Sequence, residues 1–266
     1  MTENKLTPFI TRRVSIKWGD APCAEHTSTL VLTSPEGRFV DMRVDNDAVH
    51  GDSNDAQMMG QKYNWFFAGQ AHKFDGGRAS WDHWIDSKTD APAEDAGVMS
   101  LLPNGDTLEK GAMLNDDGVK EAYEEVWRDE VVEPEIAAVL VRLRDTDLRK
   151  DDGSVLPTAS SDPAPLQTTS RLESTEGDLV CGVVIRVGRW CQGLVKIDGR
   201  FLAERWHQSQ DTGKWTLVYR MGDTNNENLS LPCSVVFESS QDAARPKIGQ
   251  ELNFRSQQWK YVEIYG

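Results

Sequence analysis

The sequence predicts an all-β protein with a barrel or sandwich architecture, and three observations lead to this class. Most apolar segments alternate with polar residues at a period of two, which is the period of a strand. These segments are short, rich in Val, Ile, Trp, Tyr and Phe, and separated by Gly, Asn, Asp or Pro. Convincing helical periodicity is scarce, since the one helix-like segment, residues 118–126, also fits a strand. The prediction is therefore all-β, with little helix.

The predicted strands begin with a hairpin, because the turn Ser34-Pro35-Glu36-Gly37 separates two alternating apolar runs. Turn residues separate the later strands in the same way. In chain order, the predicted strands are residues 29–32, 39–44, 63–68, 81–85, 122–127, 136–143, 179–187, 194–197, 201–207, 214–220, 234–238, 251–254 and 259–264.

The chain divides near its midpoint, where a short polar segment containing Pro134 separates two strand-rich halves. We therefore expect two domains, residues 1–133 and 134–266. Residues 150–178 contain three prolines among many Ser, Thr and acidic residues, and few apolar ones. Such a segment buries too little surface to offset the entropy lost on ordering, so it is predicted to be a disordered loop in the second domain. Residues 45–61 are predicted to form a flexible loop in the first.

Composition excludes several classes of function. The net charge of −14 argues against nucleic-acid binding, which needs a basic surface. No stretch approaches the roughly 18 apolar residues of a membrane span, and residues 1–10 lack the apolar core of a signal peptide. Four scattered cysteines with no C-x-x-C spacing indicate reduced thiols in a cytoplasmic protein.

No motif for a cofactor or a metal is found. The sequence contains no phosphate-binding glycine loop, no dinucleotide fingerprint and no G-x-S-x-G elbow. Its five histidines lack the spacing of a zinc site, and its acidic runs lack the glycine and glutamate positions of a calcium loop. We therefore expect neither a metal nor a cofactor.

Two short strings, Glu125-Val126-Trp127 and Glu204-Arg205-Trp206, carry the most specific chemical signal. In a strand, residues two apart point to the same face, so each carboxylate is expected beside an indole. Burial against an indole would favour the neutral acid, which suits a general acid or a hydrogen-bond donor. Glu125 and Glu204 are therefore catalytic candidates, and His83 is a third. The alternative is that these glutamates are rim charges or partners in buried ion pairs.

Further side chains are suited to line a ligand cavity. Alternation places Trp81, His83 and Ile85 on one face of a strand and Trp84 and Asp86 on the other. In a barrel interior, aromatic rings supply shape and a few polar groups fix orientation. The ligand-binding candidates are Trp65, Phe67, Trp81, His83, Tyr123 and Trp127 in the first half, and Arg186, Trp190, Trp206, Tyr219 and Trp259 in the second. The alternative is that these aromatic residues simply fill small barrels.

Several strings closely resemble the fungal Hrr-interacting (HRI) protein family. They include Trp-Asp-His-Trp-Ile-Asp-Ser at residues 81–87, the segment 102–111, Tyr123 to Trp127, and Glu204-Arg205-Trp206. The resemblance implies two tandem lipocalin-like antiparallel β-barrels, a cytoplasmic and partly nuclear location, and a casein-kinase-I-type kinase as partner. Val98 stands where the family pattern has an acidic residue, so a more apolar interior is expected.

The main functional hypothesis is a double β-barrel protein that binds a hydrophobic small molecule without metal or redox machinery. One alternative is a cofactor-free, pericyclase-like cyclase or isomerase that acts on a hydrophobic intermediate of fungal secondary metabolism. The other is a non-catalytic adaptor for the kinase, with acid-flanked serines such as Ser160 and Ser161 in the predicted loop. A catalytic barrel requires a cavity of several hundred Å³, whereas barrels filled by side chains would exclude it.

Overall fold

The all-β class is confirmed by a computed structural model that describes residues 7–49, 64–92, 94–114, 118–144, 180–238 and 246–266. Helix is confined there to α1 (Asn46–Val49), α2 (Cys233–Glu238) and a 3₁₀ turn (Asp75–Gly77). The strands are β1 (Phe9–Trp18), β2 (Thr27–Thr33), β3 (Arg38–Asp45), β4 (Trp65–Lys73), β5 (Arg78–Asp86), β6 (Asp95–Leu101), β7 (Thr107–Leu114), β8 (Lys120–Glu130), β9 (Ala137–Leu143), β10 (Val180–Val187), β11 (Trp190–Ile197), β12 (Arg200–Gln208), β13 (Trp215–Gly222), β14 (Glu251–Phe254) and β15 (Gln257–Tyr265).

The first half is a closed antiparallel barrel. Strands β1 to β8 each pair with the next strand in the chain, and β8 pairs back with β1 from Ile10 opposite Glu130 to Trp18 opposite Tyr123. The predicted hairpin at Pro35 joins β2 to β3, with Gly37 at φ 86°, a conformation that favours glycine. Closure pairs every strand on both sides, so this half has no free edge.

The second half is an open antiparallel sheet in the order β13-β12-β11-β10-β9-β15-β14. Within the described ranges, β13 and β14 are its two edges, so the expected second closed barrel is present only as a sheet. The predicted domain boundary at 133/134 lies in the connection between β8 and β9.

The predicted strand at residues 234–238 is wrong, because this segment forms α2. Cys233, Val236 and Phe237 follow the i, i+3, i+4 spacing of one helix face, and all three side chains are buried against the second sheet. Periodicity over so short an apolar run fits either structure. For residues 118–126 the strand interpretation is correct, since most of them belong to β8.

Strands β1, β6 and β7 were not predicted. In β1 and β7, charged residues face the barrel interior at Arg13 and Glu109, so the expected pattern of apolar inside and polar outside is absent. The predicted disordered loop at 150–178 lies outside the described residues. Most of the predicted loop at 45–61 does too, and its described start belongs to the end of β3 and to α1.

The two halves pack face to face through a shared apolar core. The outer surface of the barrel contributes side chains such as Leu32, Met42 and Phe66, and the facing side of the second sheet contributes Ile185 and Leu194. All five are almost completely buried. Burial of this apolar surface is the main force that holds the halves together.

Two polar side chains of the second sheet penetrate this core. Arg205, 1% exposed, donates hydrogen bonds to the side chain of Gln192 at 2.7 Å and to the carbonyl oxygen of Met42 at 2.7 Å. Gln192 in turn donates to the carbonyl oxygens of Val40 at 2.8 Å and Leu30 at 3.2 Å. Buried polar groups must be hydrogen-bonded, so this network fixes how the barrel sits on the sheet.

Candidate functional site

The middle of the first barrel contains a belt of charged side chains directed inward, most of them buried. Alternation along the strands places most of them there, and the opposite faces of β2 to β5 carry apolar side chains that pack on the second sheet. The basic members of this charged belt are Arg13, Arg43 and His83, and the acidic members are Glu25, Asp41, Asp86, Asp95, Glu109 and Glu125. Because acids outnumber bases, the interior attracts positive charge.

Arg13 of β1 connects β8, the start of β2 and the residues just before β2 at one side of the belt. Its guanidinium group lies 2.6 Å from Glu125 Oε1 and 2.7 Å from Glu25 Oε2, and it donates to Thr27 Oγ1 at 2.9 Å. A register shift between Arg13 and Ser15 in β1 positions this side chain. Glu125 is therefore a partner in a buried ion pair, which was the alternative interpretation of this residue.

Arg43 occupies the centre of the belt. It pairs with Asp41 Oδ2 at 2.9 Å and with Glu125 Oε1 at 3.4 Å. Its guanidinium carbon lies 4.9 Å from the ring centre of Trp65 and 5.1 Å from that of Phe67, within range of cation–π attraction. Burial lowers the pKa of Arg43, but these carboxylates raise it by more, so the side chain stays charged.

His83 is held as a cation between two carboxylates. Its Nδ1 lies 3.1 Å from Asp86 Oδ2 and its Nε2 3.0 Å from Asp95 Oδ2, while its ring stacks on Phe67 with centroids 4.2 Å apart. Burial disfavours the charged form, but the hydrogen bonds to Asp86 and Asp95 raise the pKa of His83 to about 9. At neutral pH both ring nitrogens therefore donate hydrogen bonds.

A β-bulge explains why His83 and Asp86 face each other, contrary to the predicted alternation. The pairing of β4 with β5 shifts between Ala68 and Gly69, so Ile85 faces the apolar core between the halves instead of sharing a face with His83. A Cβ atom at Gly69 would overlap the carbonyl oxygen of Asp82. Glycine thus permits the close approach of the strands that the bulge requires.

Glu109 is the acid with the most unusual environment in the barrel. Its Oε1 accepts a hydrogen bond from the Tyr123 hydroxyl at 2.7 Å, and its Oε2 accepts one from Trp127 Nε1 at 2.9 Å. Burial and the negative charge of Glu125 raise the pKa of Glu109 to about 8, so this carboxyl group is mostly neutral at pH 7. Gly111 provides space, since a Cβ atom there would overlap the Tyr123 ring.

Two cavities approach the charged belt from opposite ends of the barrel. The wide chamber has a volume of about 680 Å³ and is lined by side chains that include Trp18, Trp65, His83, Asp86 and Leu114. The aromatic chamber has a volume of about 380 Å³, and its wall includes Phe39, Phe67, Trp81, Tyr123 and Trp127 together with Asp41, Glu109 and Glu125. Arg43, Asp95 and Met113 line both chambers.

The predicted site residues of the first half all lie in this one barrel interior. Phe67, Trp81, Tyr123, Glu125 and Trp127 line the aromatic chamber, and Trp65 and His83 line the wide chamber. Trp65 donates from Nε1 to Asp86 at 3.0 Å. The indole of Trp127 bonds to Glu109 and not to Glu125, although both point inward. A role in ligand binding stays a prediction for these residues.

The predicted site residues of the second half are divided between two faces of the open sheet. Trp190 and Tyr219 face the barrel, whereas Trp206 and Trp259 lie on the side that α2 covers. The prediction that these residues line one common interior is therefore wrong. The side that α2 covers carries Arg186, Glu204, Trp206 and Trp259.

Side chains fill that covered face. Trp259 is 0% exposed, and Phe237 of α2 stacks on Trp215 with centroids 4.1 Å apart. Glu204 accepts hydrogen bonds from Trp206 Nε1 at 2.8 Å and Arg220 at 2.9 Å. Glu204 and Trp206 thus share a face, as predicted, within a packed layer.

Sequence reasoning missed seven members of the charged belt as site residues: Arg13, Glu25, Asp41, Arg43, Asp86, Asp95 and Glu109. A signal for two of them was present, since Asp41 and Arg43 occupy alternate positions of an otherwise apolar strand. The expectation of a more apolar interior through Val98 is wrong, because that side chain is 49% exposed on the outer surface of β6.

In the part of the chain that the structure describes, no group of three or more His, Cys, Asp or Glu side chains could hold a metal ion. The same part contains no helix with the length and apolar character needed to cross a membrane. The charged side chains of the belt pair largely with one another.

The motifs and the barrel both agree with one known family. The family model described as Protein HRI1 matches residues 9–263, which is nearly the whole chain. The chain belongs to the HRI1 family. The match extends over the barrel and the second sheet, so both parts of this HRI1-family chain are features of the family.

A solved structure shows the same architecture. The crystal structure of the uncharacterized protein YLR301w from Saccharomyces cerevisiae matches with a TM-score of 0.63 at 17% sequence identity, covering 98% of this chain and 100% of that chain. At this identity the similarity shows the fold alone. No curated protein matches this HRI1-family chain significantly.

Proposed function

We propose that this protein binds a small apolar molecule inside its first barrel, in the aromatic chamber. The observation that carries this proposal is the contrast between its halves. The first barrel encloses chambers of about 680 and 380 Å³, whereas the covered face of the second sheet is packed with side chains such as Trp259. A folded domain normally packs its interior densely, so empty space of this size in a barrel favours a ligand site.

The aromatic chamber suits a ligand with an apolar body and one polar end. Its volume of about 380 Å³ lies in the range of small-molecule sites. The rings of Phe39, Trp81 and Trp127 supply apolar surface, while Asp41 and Glu109 supply polar groups at the inner end. Because the ion pairs of the charged belt fix that end, little order has to be gained when a ligand binds.

Filling the chamber tests the proposal. N-phenyl-1-naphthylamine is a neutral apolar dye whose fluorescence increases in an apolar site, and we expect a saturable increase with the wild-type protein. Ala79 is buried and lines the aromatic chamber, so Ala79→Leu should occupy the space and abolish the increase. Ala122→Leu, on the exposed face of β8, is the matched control. No saturable signal, or an undiminished signal with Ala79→Leu, would contradict binding in this chamber.

Glu109 favours a second candidate function, a cofactor-free isomerisation or cyclisation in the same chamber. Its pKa of about 8 allows this side chain to donate a proton near neutral pH and to accept one above it. A hydrogen-bond donor in a pocket that also holds the substrate in a reactive conformation is sufficient for such chemistry. The reactivity of Glu109 is thus the property to measure.

The probe 5-nitrobenzisoxazole measures it, because a carboxylate that removes the C3 proton breaks the N–O bond and releases a coloured phenolate. We expect a rate that rises as pH increases through about 8 and that is lost in Glu109→Gln, in line with the pKa of Glu109. Glu124→Gln, on the exposed face of β8, should leave the rate unchanged. A rate that is independent of Glu109 would remove this candidate function.

The kinase partner and the cytoplasmic and partly nuclear location are proposed on the family resemblance. The acid-flanked serines of residues 150–178, which lie outside the described ranges, suit an acidophilic kinase. Deletion of residues 151–177 should weaken co-precipitation with a casein-kinase-I-type kinase, and unchanged association would remove this segment from the proposal.

A further inference from the structure

One buried oxygen in the aromatic chamber has no hydrogen-bond partner. Asp41 is 2% exposed, and its Oδ2 pairs with Arg43 at 2.9 Å. Its Oδ1 has no partner in the described residues, although Asp41 lines the chamber. A buried carboxylate oxygen without a donor is costly, so this atom identifies where a ligand donor would be most stabilising.

The surroundings of Asp41 specify the charge of that donor. The acids Asp95, Glu109, Glu125 and Asp129 also line the aromatic chamber. Arg43, the basic group at its inner end, is already paired with Asp41 and Glu125. An anionic ligand would meet the unpartnered Oδ1 of Asp41 at this end, whereas a cation would complete the pairing of that oxygen.

The basic groups at the chamber mouth leave the inner end accessible to a cation. The ammonium group of Lys73 lies 4.9 Å from the ring centre of Phe9, and the guanidinium carbon of Arg78 lies 5.9 Å from that of Phe74. At the same mouth, His72 Nε2 lies 2.8 Å from Asp82 Oδ2. All three are at the ends of β4 and β5 that lie away from the charged belt.

Aromatic walls reinforce the same preference. The faces of Trp, Tyr and Phe rings attract cations through their quadrupoles, most strongly where water is excluded. Trp81, Trp127 and Tyr123 line the chamber, and the last two are buried. We propose that the aromatic chamber binds a small molecule with a protonated amine on an apolar body, and that the amine donates a hydrogen bond to Asp41 Oδ1. This inference rests on the proposed function of the chamber.

The ionisation of Asp41 agrees with this arrangement. Burial raises the pKa of Asp41, and Arg43 only partly offsets the effect. A bound ammonium group would lower that pKa again and stabilise the carboxylate. Amine binding should therefore strengthen as pH rises through the pKa of Asp41, and weaken again only above the pKa of the amine.

A matched set of three ligands with one apolar body tests the inference by calorimetry. They are 4-phenylbutylamine, the neutral 4-phenylbutan-1-ol and the anionic 4-phenylbutyrate. At pH 7 we expect the amine to bind the wild-type protein at least about tenfold more tightly than the alcohol, and the carboxylate more weakly than either. Equal or tighter binding of the alcohol or the carboxylate would overturn the inference and leave the proposed function standing. Binding by none of the three would contradict both.

The variant Asp41→Asn supplies a second readout. It should weaken amine binding at least about tenfold and change alcohol binding by less than about twofold, because the amide keeps its shape and loses its charge. Asp211→Asn, in the exposed β12–β13 turn, is the matched control. Equal loss of both ligands would show a structural effect and contradict the assigned contact. If Asp41→Asn does not fold, the comparison of the three ligands on the wild-type protein decides alone.

Discussion

Replacing Glu109 by Gln should remove a large pH-dependent contribution to stability. Burial and the charge of Glu125 raise the pKa of Glu109 from 4.5 to about 8 in the folded protein. The folded state therefore binds this proton more tightly than the unfolded state. Its contribution to stability is complete below pH 4.5 and is lost as pH rises through 8. Glutamine keeps the shape of the neutral acid and does not titrate.

The magnitude follows from the two pKa values. At about 1.36 kcal/mol per pKa unit, the full difference corresponds to about 5 kcal/mol, of which about 3 kcal/mol falls between pH 5.5 and pH 8.5. Urea unfolding at these two pH values should show that the wild-type protein loses about 3 kcal/mol more than Glu109→Gln. The contribution of His83, which titrates in the same range, is present in both proteins and cancels.

The control for this comparison is Glu124→Gln, the exposed neighbour of Glu125 on β8, which pairs with Lys110. Its loss of stability between pH 5.5 and pH 8.5 should equal that of the wild-type protein within about 0.5 kcal/mol. If Glu109→Gln also loses as much as the wild-type protein, then Glu109 ionises below pH 5.5 and the reasoning about its burial is refuted.

Three further predictions concern the same barrel and its contact with the sheet. At pH 6, His83→Gln should be less stable than the wild-type protein by up to about 3 kcal/mol, because the raised pKa of about 9 stabilises the folded protein. In urea unfolding this difference should shrink by pH 9.5, and a constant difference would refute the paired imidazolium. Gly111→Ala should cost about 1–3 kcal/mol in thermal unfolding because its Cβ overlaps the Tyr123 ring, and an unchanged melting temperature would contradict the packing. Arg205→Ala should cost about 2–4 kcal/mol and split the calorimetric transition of the two halves, whereas Arg200→Ala on the surface should change stability by less than about 0.5 kcal/mol; a single unaltered transition would show that the buried network is dispensable.

Strand alternation was sufficient to predict the shared face of Tyr123, Glu125 and Trp127. Strand β8 pairs with β7 over this stretch without a register shift, so the period of two holds from residue to residue. All three side chains are buried in the barrel. Where backbone pairing is regular, the pattern of residue types determines which face each side chain takes.

Alternation failed at His83 because of the bulge opposite Gly69. The bulge depends on how closely β4 and β5 approach, and that approach is a tertiary property. An isolated glycine inside a predicted strand was the available signal. The contact between His83 and Asp86, which holds the histidine in its charged form, could therefore not be derived from a uniform period of two.

Glu109 was missed because the barrel interior is charged. In β7, Leu108 points away from the interior while Glu109 and Met113 line it, which reverses the usual arrangement. The open second sheet was missed for a different reason. Closure requires pairing between distant strands such as β13 and β14, and local residue patterns contain no information about that pairing.

A crystal structure of the protein with 4-phenylbutylamine is the most direct test of the central claim that the first barrel is a ligand site. The account predicts a phenyl ring between Trp81 and Trp127 and a nitrogen about 2.7–3.2 Å from Asp41 Oδ1. An empty aromatic chamber at saturating ligand, or a ligand seated only on the second sheet, would contradict it.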